Sequence, residues 1–233
     1  MSFLYENIQD FPVDIGQTDV TLRAVNVVGV QESPFSFARE TQLFPGARWE
    51  LEISILPAER AEAQRLEAFI LSLRGRLGLF RLADPYRSLP LGSNLGDPRV
   101  KRAFAGEEAF TSRGWDVNET GVLKAGDHIE LEGRLHMVLV DVSSDAAGEA
   151  EIRVWPPLRE NYVDGTHLVT ENARGVFSLD SNSIEFTRNT EGFNGAFVRA
   201  VEVPTEVPTE GVAITLGGEP LTLGGVPITV VAP

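Results

Sequence analysis

Residues 49–55, Trp-Glu-Leu-Glu-Ile-Ser-Ile, alternate strictly, with Trp49, Leu51, Ile53 and Ile55 on one side and Glu50, Glu52 and Ser54 on the other. Period two marks a half-buried antiparallel strand. Residues 20–28 form a second β-rich run. Between residues 58 and 76 the period changes. Leu66, Phe69, Ile70, Leu73 and Leu77 follow the i, i+3, i+4, i+7, i+11 spacing of one apolar stripe and predict a single amphipathic helix. Pro57 suits its first turn, Glu59 and Glu62 its positive N-terminal end, Arg74 and Arg76 its negative C-terminal end, and Gly75 or Gly78 its stop.

A short apolar strand, Gly78-Leu-Phe-Arg-Leu82, follows, and Pro85, Pro90, Gly92, Gly96 and Pro98 then predict a crossover or a domain boundary. Strand-like runs recur at 121–123, 127–132, 134–142, 150–155 and 166–170, with turn chemistry at Lys124-Ala-Gly-Asp127, Glu132-Gly133 and Asp145-Ala-Ala-Gly148. That spacing suits a small β-barrel over residues 99–165, expected to fold as a separable unit. Gly175-Val-Phe-Ser-Leu179 echoes Gly78-Leu-Phe-Arg-Leu82. If the echo is structural, the chain returns to its first sheet and the barrel is an insertion.

The expected architecture is therefore mainly β with one amphipathic α-helix. A β-sandwich-like domain would comprise residues 1–98 and 166–203, with the barrel inserted between them and an extended β arm over 204–233. That arm repeats Val-Pro-Thr-Glu twice, then Ile214-Thr-Leu-Gly-Gly-Glu-Pro and Leu221-Thr-Leu-Gly-Gly-Val-Pro. It has too few large side chains for a core of its own. It is expected to order by pairing with a neighbouring subunit or another protein, burying Ile214, Leu216, Leu221, Leu223, Ile228 and Val230; the alternative is an arm folded back on its own domain.

Composition excludes several functions. The 233 residues carry 20 Lys+Arg against 34 Asp+Glu, a net charge of −14, and contain no cysteine. Disulfides, thiolate zinc sites and cysteine nucleophiles are ruled out. The acidic balance disfavours nonspecific binding to nucleic acid or anionic lipid. Residues 1–10 show no basic n-region followed by an apolar run, and the prolines and Gly-Gly pairs of 211–233 disfavour a spanning helix there, so a soluble protein made in a cytoplasm is expected. Residues 60–102 nevertheless hold 9 basic against 4 acidic side chains, whereas 117–233 hold 7 against 18. Head-to-tail contact between these regions would close a homo-oligomeric ring, with Arg74 and Arg76 as candidate interface residues; an arginine-biased genome is the plainer explanation.

Few residues suggest chemistry. His128 and His136 lie on neighbouring predicted strands, where they could face each other with Glu130 nearby, but they lack a metal-binding spacing. Glu50/Glu52 and Glu130/Glu132 read as solvated strand faces, and Asp127, Asp141 and Asp145 as turn residues without a calcium-loop pattern. Trp115 and Trp155 bracket the barrel and are candidates for stacking on a glycan, or else core residues. No nucleophile elbow, P-loop or dinucleotide fingerprint occurs, and no cofactor is implied.

The run Arg113-Gly-Trp-Asp-Val-Asn-Glu-Thr-Gly-Val-Leu-Lys-Ala-Gly-Asp127 is followed by Arg134-Leu-His-Met-Val-Leu139, Ser144-Asp-Ala-Ala-Gly-Glu-Ala150 and Val154-Trp-Pro-Pro-Leu-Arg159. Together with the Gly78 and Gly175 strands, this series resembles distal tail proteins of long-tailed, siphovirus-type bacteriophages over roughly residues 40–202. The resemblance implies a non-enzymatic structural protein of the virion tail. Its N-terminal β-domain with one helix would form a hexameric ring where the tail tube meets the tip or baseplate, touching the tail tube protein and tail-tip hub proteins, while a second β-domain projects outward. The repeats after residue 203 are no part of the resemblance. A carbohydrate-binding module using Trp115 or Trp155 and a tail-associated cell-wall hydrolase are the other function classes weighed. The Lys-Ala-Gly-Asp loop is also similar to self-splicing Hint domains, whose splice-junction nucleophile has no cysteine to supply it here.

Overall fold

The computed structural model describes residues 8–12, 15, 17–56, 59–186, 188–189, 192–193 and 196–203, and short paired strands between residues 212 and 230. Residues 1–203 make one compact unit and 204–233 a second. The first is mainly β with a single α-helix, its strands gathered into two principal sheets, one of them a curled half-barrel.

The larger sheet has six strands in the order β1-β4-β10-β13-β3-β2: β1 Gln9–Asp10, β2 Gln17–Glu32, β3 Arg39–Leu56, β4 Leu79–Ala83, β10 Arg174–Leu179 and β13 Ala196–Glu202. Only the β1–β4 pair is parallel. The predicted alternation of residues 49–55 is realised on β3. Trp49, Leu51, Ile53 and Ile55 are buried, while Arg23 and Arg199 sit against Glu52 on the opposite face. The two echoing segments lie side by side as β4 and β10, with Phe80 opposite Phe177, so the chain does return to its first sheet.

Helix α1 spans Arg60–Ser72, buries Ala63, and packs Leu66 and Ile70, followed by Leu73, into the apolar face of this sheet. It starts where Glu62 accepts a hydrogen bond from the Glu59 backbone N–H. It stops earlier than its apolar stripe predicts. Arg74 turns to φ 54°, Leu77 leaves the stripe and is exposed, and the Gly78 N–H closes back on the Leu73 carbonyl at 2.7 Å. A Cβ on Gly78 would lie 2.5 Å from that carbonyl oxygen, which reserves the position for glycine. Arg74 and Arg76 thus sit exposed in the turn after the helix rather than in its last turn.

The second sheet runs β5-β6-β9-β8-β7: β5 Gly96–Arg102, β6 Ala109–Trp115, β7 His128–Leu131, β8 Arg134–Val138 and β9 Glu149–Trp155. Isolated bridges Arg99 to His167, Ala103 to Tyr162, Leu123 to Val142 and Glu130 to Val169 help to curl it. The paired backbone begins at Gly96 and its bridges reach Val169, beyond the expected limits of 99 and 165 on both sides. Pro98 is accommodated because the β5–β6 register shifts between Gly96 and Arg99, a bulge that spares its missing N–H. Val100, Phe110, Trp115, Ile129, Leu131 and Ile152 help to form its core.

The two cores meet at one wall. Leu135, Met137 and Trp155, all from the second sheet, pack on the core of the first, and the Trp49 indole N–H donates to the Leu135 carbonyl at 3.0 Å. A two-stranded hairpin, β11 Arg188–Asn189 with β12 Gly192–Phe193, precedes β13.

In the C-terminal unit, β14 Val212–Ala213 pairs with β19 Thr229–Val230, β15 Thr215–Leu216 with β16 Glu219–Pro220, and β17 Thr222–Leu223 with β18 Val226–Pro227. Leu216, Leu223 and Val230 fall in these strands, whereas Ile214, Leu221 and Ile228 lie outside the described residues.

Candidate assembly surface

Strands β2 and β3 pair over their whole length, from Gln17 opposite Leu56 to Glu32 opposite Arg39. On its other side β3 is paired by β13 only between Glu50 and Ile55. Beyond that stretch the hairpin runs on as a two-stranded arm of residues 25–48, closed by a turn in which Phe37 N–H donates to the Ser33 carbonyl at 2.9 Å. At about 3.4 Å per residue its seven or eight paired positions reach roughly 25 Å.

The arm is apolar where a solvent-facing hairpin is ordinarily polar. Val27 lies opposite Phe44 on one face, and Val28 opposite Leu43 on the other, next to Val30 opposite Thr41. All five of these apolar side chains are exposed, and in the turn Phe35 is 95% exposed. The β-branched and aromatic residues favour the extended backbone, and Gly46 lets Val27 pack closely, since a Cβ there would stand 2.6 Å from Val27 Cγ2. Neither long edge of the arm has a strand partner among the described residues. An isolated hairpin is marginal in water, and unpaired edges carrying apolar side chains invite another chain.

The base of the arm is braced. A register shift between Val25 and Val27 bulges the chain at Asn26, whose side-chain oxygen accepts the Trp155 indole N–H at 2.8 Å. The Trp155 ring meets Trp49 edge-on at 4.6 Å, and Arg159 donates to the Ala47 carbonyl. Trp155 is therefore a joint between the second sheet and the arm. Trp155→Phe, which keeps the ring contact but loses the hydrogen bond, is expected to cost about 1 kcal/mol, and Trp155→Ala about 3. Urea denaturation of both variants checks this, and equal costs would show that the ring contact contributes nothing.

The other candidates fare differently. Trp115 is 4% exposed in the second core and its indole N–H donates to Ser112 Oγ at 2.8 Å, so it presents no ring to a glycan. The candidate His128–His136 pair does not face itself. In the β7–β8 register His128 lies opposite Met137 and His136 opposite Ile129, which puts the two histidines on opposite faces. Among the described residues no three His, Asp or Glu side chains are gathered as metal ligands. Asp127, read as a turn residue, accepts backbone N–H bonds from Leu91, Gly92 and Lys124 at 2.7–3.2 Å and pins the connector to the second sheet. The arm itself escaped the reading because residues 27–30 and 43–44 are apolar on both faces and so break period two; the signal was the continuation of strand-forming residues on both sides of Ser33-Pro34.

Set against known proteins, the chain matches no family model and no curated protein sequence.

Proposed function

We propose that this protein is a structural component of a bacteriophage tail, a homo-oligomer that forms a ring at the distal end of the tail tube and joins the tube to the tip or baseplate. The observation that carries the reading is the β2–β3 arm. Its two free edges are different strands, so β2 of one copy can pair with β3 of the next, and a heterologous contact of this kind either closes as a ring or grows as a filament. Sixfold closure, the tail tube and tail-tip hub partners and the place in the virion come from the resemblance to distal tail proteins. Arg74 and Arg76, exposed beside the helix, are offered as a second contact to an acidic neighbour. No step of this reading calls for catalysis.

Electron micrographs of the purified protein test it, with rings expected. Replacing Val28, Leu43 and Phe44 by threonine keeps the strand propensity and removes apolar area. At about 1 kcal/mol per side chain this is expected to raise the concentration needed for assembly about a hundredfold while the thermal unfolding of the protein changes little. Isolated globules at every concentration, or unimpaired rings in the triple variant, would overturn the assignment.

A further inference from the structure

The arm and the sheet it grows from are two ladders with a gap between them. Val25 lies opposite Arg48 and Val27 opposite Phe44, so one residue of β2, Asn26, is set against three of β3, Pro45-Gly46-Ala47. No residue pair of the ladder spans this level. Pro45 has no N–H to give a ladder and Gly46 no side chain to stiffen one, and these are the residue types that interrupt strands. Extra residues on one strand bend the chain, and a two-stranded ribbon has no third strand to resist the bend. Beyond the gap neither long edge of the arm has a strand partner among the described residues. Both strands are instead gripped from outside at the level of the gap. On β2 the Asn26 side-chain oxygen accepts the Trp155 indole N–H at 2.8 Å, and on β3 the Ala47 carbonyl accepts from the Arg159 guanidinium. The two donors belong to one segment at the end of β9, Trp155-Pro-Pro-Leu-Arg159, fixed by Leu158 in the second core and by Trp155 edge-on against Trp49.

We propose that Asn26 and residues 45–47 are a hinge, and that the Trp155–Arg159 segment of the second sheet is the latch that sets the angle of the arm. With both hydrogen bonds made, the arm is held at one angle. With them open, the short backbone stretch at the gap absorbs the change in direction and the paired residues 27–44 swing as one body, the usual division of labour at a hinge. The second sheet thereby governs the assembly surface, because an arm already held in its bound direction loses less freedom on meeting a partner than one that swings. The hinge and latch stand on the ladder and the two hydrogen bonds; their bearing on assembly rests on the reading of the protein as a self-assembling ring.

The absence of cysteine makes the test direct, since spin labels go only where cysteines are introduced. Gln31→Cys/Gln64→Cys places one label on the exposed arm and one on the exposed side of α1. Double electron–electron resonance on full-length labelled chains, diluted into unlabelled protein, then reads the angle of the arm. The parent is expected to give one narrow distance distribution, and Asn26→Leu/Arg159→Met one at least about twice as broad. Deleting Pro45 and Gly46 sets Ala47 opposite Asn26 and makes the ladder continuous, so adding this deletion is expected to narrow the distribution again although the latch is open. A latch variant as narrow as the parent, or a parent as broad as the variant, would overturn the latch, and a deletion variant that stays broad would overturn the hinge. Asn26→Leu alone, at an exposed position, decides the latch by the same two outcomes if the loss of Arg159 unfolds the chain. Mass photometry keeps the two readings apart. A loosened arm is expected to raise the concentration needed for assembly about tenfold. Unchanged assembly with a broadened arm would overturn the control of assembly, whereas a parent that is monomeric at every concentration removes the ring reading and leaves the hinge standing.

Discussion

Replacing Arg134 by methionine is expected to destabilise the protein by about 3–5 kcal/mol at pH 7, the range for removing one partner of a buried ion pair. The Arg134 side chain is 2% exposed and that of Glu202 1%, and they approach within 3.8 Å across the wall where β8 of the second sheet meets β13 of the first. Each is only partly satisfied. The second carboxylate oxygen of Glu202 accepts the Trp49 N–H at 3.0 Å, but Arg134 Nε and Nη2 and Glu202 Oε1 have no hydrogen-bond partner. Glu160, 3.6 Å from Arg134 Nε, is the only other carboxylate seen against the guanidinium among the described residues. Burial already pushes the Glu202 carboxyl above the usual carboxylate range, against the Trp49 amide and the guanidinium of Arg134 that favour its charge. Without Arg134 the buried carboxylate keeps the Trp49 amide and the weaker pull of Arg159 and Arg48, and loses the strongest of the charges that favour it.

The double variant Arg134→Met/Glu202→Gln should recover most of the loss, because glutamine retains an oxygen for the Trp49 N–H while removing the charge. For a chain of this length each kcal/mol moves Tm by about 2–4 °C, so the single variant should melt roughly 10 °C lower and the double variant within a few degrees of the parent. A single variant that melts with the parent would show that the pair is hydrated and carries no such cost.

The sequence made β3 and α1 legible because a single face of each is buried, and a single buried face writes a clean period. It also suggested the pairing of β4 with β10 through a five-residue echo. It failed where burial was not one-sided. β8 was read as a strand, but its role as a wall between two cores was not visible, since Leu135 and Met137 belong to one core and Val138 to the other. The start of β5 reads as a break because Gly96 and Pro98 are poor strand residues, and only the bulge against β6 makes room for them. Arg134 and Glu202 are 68 positions apart, and nothing local to either announces the other. The histidines show the reverse error: proximity in sequence suggested a shared face, and a strand register that sets 128 against 137 forbids it.

Those two histidines set the second large effect, a loss of stability on mild acidification. Burial lowers both pKa values from 6.5 to about 4. For His128 the Arg87 charge adds to burial, with Asp84 and Asp127 opposing; for His136 the Pro156 carbonyl opposes burial by accepting from Nδ1 at 2.8 Å, while Arg134 and Arg159 reinforce it. Above pH 6.5 each histidine is neutral whether the chain is folded or not, and nothing is gained or lost. Between 6.5 and 4 the unfolded chain binds protons that the folded chain refuses, so stability falls as pH falls, by up to about 1.4 kcal/mol per unit for each histidine and roughly 3 kcal/mol for each over the window. Glu202 acts in the opposite sense, because its raised folded pKa lets the native state take up a proton before the unfolded one. The exposed Asp97, Asp141 and Asp145, lowered chiefly by hydrogen bonds, lose their contributions only as pH passes below 3.8. The stretch from 6.5 to 4.5 therefore excludes the aspartates and sets the two histidines against Glu202. His128 is the one to replace: neither ring nitrogen has a hydrogen-bond partner, and its ring lies 6.0 Å from that of Trp49. His128→Phe should be neutral or stabilising at pH 7, since it removes buried polar atoms that gain nothing. It should also lower the slope of unfolding free energy against pH by at least half across that stretch, measured by urea denaturation at half-unit steps. An unchanged slope would mean that His128 is protonated in the folded protein as readily as in the unfolded chain.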